Sequence, residues 1–245
     1  MVSSEVADNV ARVRERIARA AERVGRSSED VTLVVVTKTQ PVDRILQAVA
    51  AGVAVFGENR VQEAIAKFAG RDIGAQDGSL VPRQNISLHM IGTLQRNKAR
   101  HAARHFDCIQ SVDNLQLAHD LDVAAGRERD GEPLPVLLEV NVTGEASKSG
   151  ISAEELPRLA GEMERFSNLR CTGLMTIARF GAGEKELRET FARLRLLLER
   201  MKEEYPGDWR HLSMGMSDDF EYAIEEGATL VRVGRAIFGE RTRSG

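Results

Sequence analysis

Cysteine is nearly missing from this chain. Only Cys108 and Cys171 occur among 245 residues, each inside a strand-like run and in no metal-ligand spacing. Two such thiols fit a reducing compartment better than a disulfide framework. A basic excess is also missing. Lys and Arg total 34 against 37 Asp and Glu, a net charge of −3, so no positive field points to nucleic acid. No run reaches the roughly 18 apolar residues of a membrane span. The N-terminus is charged and lacks the apolar core of a signal peptide. Internal repeats and low-complexity segments are absent. These gaps predict a cytoplasmic protein with neither a nucleic-acid nor a membrane partner. What is there is ordinary for a globular chain, 42% hydrophobic and 29% charged, and its length suits one barrel-sized domain.

The apolar pattern alternates between two periods. Val6, Val10, Val13, Ile17, Ala21 and Val24 recur at threes and fours, predicting a leading amphipathic helix over 3–24 that Gly25 ends. Short β-branched or apolar runs follow: 31–36, 53–56, 86–91, 108–112, 135–142, 170–176, 211–214 and 230–233. Each precedes a helix or helical turn, at 42–51, 61–69, 95–105, 114–127, 152–166, 184–204, 218–226 and after Gly234. Regular β–α alternation predicts a parallel sheet, and eight units in this length predict a closed (β/α)8 TIM-like barrel. An open doubly wound sheet is the alternative. The poorly periodic stretch Gly70–Gln84 reads as a surface insertion or a lid.

In a parallel barrel all strand C-terminal ends meet at one mouth, where ligands bind. The polar or unusual residues at those ends are Lys38, Asn59, His89, Ser111, Asp113, Asn141, Met175, Ser213, Arg232 and Gly234. Core packing requires few of them, so their convergence marks a candidate site. Lys38 ends the run TLVVVTKTQP, and a lysine leaving a dry core can form a Schiff base with an aldehyde. Pro41 is expected in the first turn of the next helix. The turns Ser213–Ser217 and Val233–Ala236 resemble the phosphate-binding turns that follow the last two strands of many barrels. Other features carry less. His101 and His105 alternate with arginines on a basic helix and read as a solvated face. GAGEK at Gly181–Lys185 lacks the full phosphate-loop spacing. Ser213 and His211 are set aside as a nucleophile–base pair, on the expectation that they face opposite sides. A lysine beside a phosphate cradle fits a Schiff-base aldolase on a phosphorylated sugar or a simple phosphate binder.

Eight stretches in order resemble the pyridoxal phosphate homeostasis family, itself similar to the N-terminal barrel of alanine racemase. They are TLVVVTKTQP, FGENRVQE, LHMIGTLQRNK, SVDN, LEVNVTGEASKSG, GLMTIA, LSMGMSDDFEYAI and VRVGRAIFGER. The resemblance implies that Lys38 carries pyridoxal 5′-phosphate as a Schiff base. It implies that Ser213, Gly234 and Arg235 hold the phosphate, that Arg232 faces the pyridine nitrogen, and that Asn59, His89 and Met175 line the pocket. Two departures stand out: the length of Gly70–Gln84, and Arg235 where small residues are common.

An arginine partner leaves the pyridine nitrogen unprotonated, which disfavours carbanion chemistry. A racemase of the alanine type also needs a tyrosine base from a second, β-rich domain. Here the eighth strand stands close to the end of the sequence, and the only tyrosines, Tyr205 and Tyr222, fall in helices. The expectation is one domain, 1–245, acting as a monomer that buffers the cofactor and delivers it to apo forms of other enzymes. The alternatives are a weak amino-acid racemase or the aldolase.

Overall fold

The structure is a computed structural model that describes residues 4–69, 80–83, 85–145 and 149–239. The leading helix α1 (Glu5–Arg23) is capped by Ser4, whose side chain accepts from the Ala7 N–H. Its apolar stripe, Val6, Val10, Val13 and Ile17, is buried. The barrel then runs β1 (Thr32–Val36), α2 (Val42–Ala50), β2 (Val55–Glu58), α3 (Val61–Lys67), β3 (Ser87–Met90), α4 (Ala99–His105) and β4 (Cys108–Val112). It continues with α5 (Leu115–Glu128), β5 (Leu134–Asn141), β6 (Ile151–Ser152), α6 (Leu156–Met163), β7 (Leu169–Met175) and α7 (Glu184–Glu204). It ends in β8 (His211–Ser213), α8 (Phe220–Glu225), β9 (Leu230–Val233) and α9 (Arg235–Phe238).

Every pairing is parallel. The order β4-β3-β2-β1-β9-β8-β7-β5 closes through a β4–β5 pairing into an eight-stranded barrel, as the alternation of periods predicts. The two-residue β6 is an addition alongside β5, pairing Ile151 with Val140. This shortens the helix expected over 152–166. Gly150 makes the addition possible: its φ is +104°, and a Cβ there would lie 2.8 Å from the Asn141 nitrogen. Other boundaries also shift. Pro41 is the N-cap of α2 rather than a residue of its first turn, and the helix expected over 95–105 opens as a 3₁₀ turn at Arg96–Lys98. The stretch Gly70–Gln84, expected as an insertion or lid, lies outside the described residues apart from 80–83.

Residues alternate in and out along each strand. Val35, Phe56, Leu88, Ile109, Leu138, Leu174 and Val231 point outward into the main core under the helices. A small inner cluster, Val34, Cys108, Leu137, Met175 and Leu230, plugs the barrel. The helix α1 packs against α2, α8 and α9. Asn9 donates to the Ile237 carbonyl at 2.8 Å, and Arg26 donates to the carbonyls of Ile224 and Ala228. The last two βα units, which the sequence marks as a phosphate cradle, are thereby braced from outside.

Candidate active site at the barrel mouth

A cavity of about 640 Å³ opens at the C-terminal ends of the strands. Of the residues read from sequence, Lys38, Asn59, Arg232, Gly234 and Arg235 line it. Lys38 is half-buried, two residues past the end of β1. Gly234 lets the wall come close to β1, since a Cβ there would meet Val36 at 3.2 Å. Arg235 pairs with Asp218 across the rim, so its guanidinium has a carboxylate partner.

His89, Met175 and Ser213 lie one layer deeper. Met175 is in register with Ser213, and Ser213 with Leu230, two residues before Arg232. The mouth on β3 and β7 is lined instead by Ile91 and Ile177, each two residues farther along. Inward-facing positions recur every second residue, so a two-residue offset is a depth of about 7 Å. After the seventh barrel strand the cavity serine is Ser217, in the turn that follows, which accepts from the Ala236 N–H at 3.3 Å.

The deeper residues form a hydrogen-bonded relay. Ser87 Oγ meets His89 Nε2 at 3.0 Å, and Gln110 Nε2 meets His89 Nδ1 at 2.7 Å. Ser213 Oγ donates to Gln110 Oε1 at 2.6 Å and accepts from Arg232 Nη1 at 2.5 Å. Arg232 Nη2 donates to the Thr176 carbonyl at 2.8 Å. Burial, then the nearby His211 and Arg83, push the His89 pKa down to about 4, so the imidazole is neutral at pH 7. Burial lowers the Arg232 pKa to about 10, against the pull of Glu139 and Asp219. It stays a cation at pH 7. His211 and Ser213, two apart on one strand, share a face rather than facing opposite sides. Their partners keep them apart: His211 Nδ1 lies 3.4 Å from Thr229 Oγ1.

A second network grips the backbone on both sides of Lys38. Lys67 Nζ donates to the Thr37 carbonyl at 2.7 Å, to Glu58 Oε1 at 3.0 Å and to Glu63 Oε1 at 2.5 Å. Glu63 Oε1 also accepts from the Thr39 N–H. Thr39 has φ of 62°, a left-handed conformation costly for a β-branched residue. The network therefore holds a strained turn that aims Lys38. Burial raises the Glu58 pKa against its bonds to Thr37 and Lys67. In Glu63 burial acts the same way, but the Lys67 and Thr39 hydrogen bonds outweigh it and the pKa falls.

Sequence reasoning missed several of these residues. Gln110 carried a signal: it is polar in an apolar strand and shares the inward parity of Cys108. Glu63 and Lys67 carried another, four apart on one helix. Ile177 and the exposed Phe180 at the rim carried none, because an apolar residue past a strand end looks like any other.

An eight-stranded parallel barrel with a lysine just past its first strand and an arginine on its last defines the alanine racemase N-terminal-domain class, and that family matches residues 9–242. Alanine racemase from Corynebacterium glutamicum shares the fold, with a TM-score of 0.65 at 16% identity over 98% of this chain and 63% of its own. Within that class the chain belongs to the pyridoxal phosphate homeostasis proteins. The Pseudomonas aeruginosa protein of that name is 44% identical over 238 residues, 97% of this chain and 96% of its own. The Escherichia coli one is 39% identical over 98% of this chain and 99% of its own. PipY of Synechococcus elongatus, solved with pyridoxal phosphate bound, has a TM-score of 0.75 at 33% identity, over 96% of this chain and 100% of its own.

Proposed function

We propose that the mouth cavity takes pyridoxal 5′-phosphate, held as a Schiff base through Lys38 Nζ, and that the protein buffers and delivers this cofactor rather than turning over a substrate. The carrying observation is that Lys38, Arg232 and the Gly234–Arg235 turn share one cavity. The donor set fits the group. A lysine supplies the amine for an aldehyde, and a buried guanidinium supplies a fixed donor for a pyridine nitrogen. Ser217 and the opening of α9 supply hydroxyl and backbone groups for a phosphate. His89, Gln110 and Ser213 support Arg232 from beneath, and Asn59 closes the side. The PipY complex supports the same ligand in a relative.

When bound, the cofactor supplies an electron-withdrawing ring, and Arg232 as the ring-nitrogen partner keeps that ring a weak sink. Turnover also needs a second acid–base group facing the cofactor. The two tyrosines stand elsewhere. Tyr205 packs on Gly161 at the end of α7, and Tyr222 lies under the Arg188 guanidinium, 4.9 Å from Arg188 Cζ to its ring centre. In this reading the protein works in the cytoplasm as a monomer and serves apo forms of enzymes that use the cofactor.

The test is the visible absorption spectrum, followed by borohydride reduction and peptide mapping. A yellow protein with a pyridoxyl group on Lys38, lost in Lys38→Ala, is the expected result, with no exchange of the alanine α-proton in heavy water. A colourless protein unmodified by added pyridoxal phosphate would overturn the reading and favour a phosphate-binding or aldolase barrel.

A further inference from the structure

A side compartment of about 200 Å³ adjoins the main cavity, and Asn59, Ile91 and Ile177 line both. Its other walls include Gly92, Thr93, Glu139, Asn141 and Ser149. Most of its polar groups are already engaged. Asn141 Oδ1 accepts from Thr143 and the Gly144 N–H, and Asn141 Nδ2 donates to the Glu145 carbonyl at 2.8 Å. The Thr93 and Ser149 hydroxyls meet at 3.2 Å. Two acceptors are left over. Glu139 is only 4% exposed, and its carboxylate accepts no hydrogen bond among the described residues. Asn59 Oδ1 is buried and also has no partner. Buried polar groups are nearly always paired, so the Asn59 oxygen is an exception, and the Glu139 carboxylate beside it reaches the compartment with its hydrogen-bonding capacity unused.

We propose that this compartment is a subsite for a small primary amine in its ammonium form, held by the Glu139 carboxylate and the Asn59 amide oxygen. An ammonium group brings one positive charge and three donors. The walls supply one carboxylate, one free amide oxygen and the spare lone pairs of two hydroxyls. A hard divalent cation needs six or more oxygen ligands, and no group of three or more metal-ligating side chains occurs among the described residues. The volume, at about 30 Å³ per water-sized unit, admits about half a dozen non-hydrogen atoms. Among the described residues Arg232 is the cation that faces Glu139, but its guanidinium is directed at Ser213 and the Thr176 carbonyl and makes no hydrogen bond to the carboxylate. The other charge facing Glu139 is Asp113, of the same sign. An amine in this compartment stands beside the cavity of Lys38, next to any carbonyl ligand bound there.

Burial, reinforced by Asp113 and opposed by Arg232, raises the Glu139 pKa to about 7, so the test is run at pH 8. Ethylammonium chloride is titrated into the full-length protein carrying carboxyl-labelled glutamate, followed by carbon NMR and calorimetry. A saturable shift of the Glu139 resonance is expected. Affinity should fall at least tenfold in Glu139→Gln and several-fold in Asn59→Ala. Tetramethylammonium, which has no N–H donors, should not compete. Lys38→Ala should bind ethylammonium as the wild type does while failing to retain pyridoxal phosphate, which separates this inference from the cofactor reading. The absence of a saturable shift in the wild type would overturn it, and so would equal binding by tetramethylammonium. The wild-type titration decides the matter even if a variant fails to fold.

Discussion

Two buried polar networks flank the mouth cavity, and they are built on opposite principles. Beside Lys38, the set of Glu58, Glu63, Lys67 and Thr37 is ionic, with one ammonium bridging two carboxyls and a backbone carbonyl. Beneath Arg232, the relay of Ser213, Gln110, His89 and Ser87 is neutral beyond the guanidinium itself. The difference follows from what each must hold. Lys38 sits on a loop, and its turn includes a strained threonine, so the backbone has to be fixed by strong charge-assisted bonds. Arg232 sits on a barrel strand whose backbone the sheet already fixes. Only its side chain needs direction, and a chain of neutral donors and acceptors gives that without burying a second charge. The first network should therefore be fragile to the loss of one partner, and the second sensitive to protonation.

The largest effect is expected from Lys67→Met. It leaves Glu58, fully buried, with Thr37 as its only hydrogen-bond partner among the described residues, and it releases the Thr37 carbonyl. Breaking a buried pair at one end costs about 3–5 kcal/mol, measurable by urea denaturation at pH 7. Glu58 already has a raised pKa and an unpaired Oε2. A loss below about 1 kcal/mol would mean that Glu58 keeps its own proton, and the contrast between the two networks would fail.

These networks also show how far the sequence could be read. The barrel was legible because two periodicities alternate along the chain and survive errors of several residues at each boundary. The mouth residues Lys38, Asn59, Arg232 and Gly234 were legible for the same reason, since each follows or ends a clear strand. Depth along a strand was not. His89 and Met175 have the inward parity expected of a lining residue, but parity repeats every two positions and does not say which layer a residue occupies. Ser213 shows the same ambiguity against Ser217. The closure of Glu58 with Lys67, nine residues apart across a strand–helix turn, requires a three-dimensional path that no local pattern encodes.

The next largest effect concerns pH. The His89 pKa is about 4 in the folded protein, below the ordinary 6.5. A depressed histidine stabilises the fold fully above 6.5, and this contribution is lost as pH falls through 4. Relative to His89→Gln, the wild type should lose about 3 kcal/mol of stability between pH 7 and pH 4, from 1.36 kcal/mol per pKa unit. Glu139 acts with the opposite sign. Its raised folded pKa favours the fold below the unfolded value and withdraws that support as pH rises through about 7. The difference between wild type and variant cancels this term. Parallel pH curves for the two proteins would show that burial does not hold the imidazole neutral, and the neutral half of the comparison would then be lost.

The smallest effect separates two serines that look alike in sequence. Ser213 bridges Arg232 and Gln110 in the interior, whereas Ser217 stands at the cavity wall. Ser213→Ala leaves a guanidinium nitrogen and an amide oxygen buried without a partner, at about 1–3 kcal/mol. Ser217→Ala removes one partly exposed hydroxyl, and its stability should stay within about 0.5 kcal/mol of the wild type. Ligand binding should rank them the other way. Retention of pyridoxal phosphate against dialysis should drop several-fold in Ser217→Ala through loss of a direct contact. In Ser213→Ala the effect is expected to be smaller and to appear in the absorption maximum, because the guanidinium that we propose faces the ring loses its support. If Ser213→Ala instead lost the phosphate ligand with its stability unchanged, the resemblance-based assignment of Ser213 would be the correct one. The neutral relay would then be part of the binding surface rather than a brace beneath it.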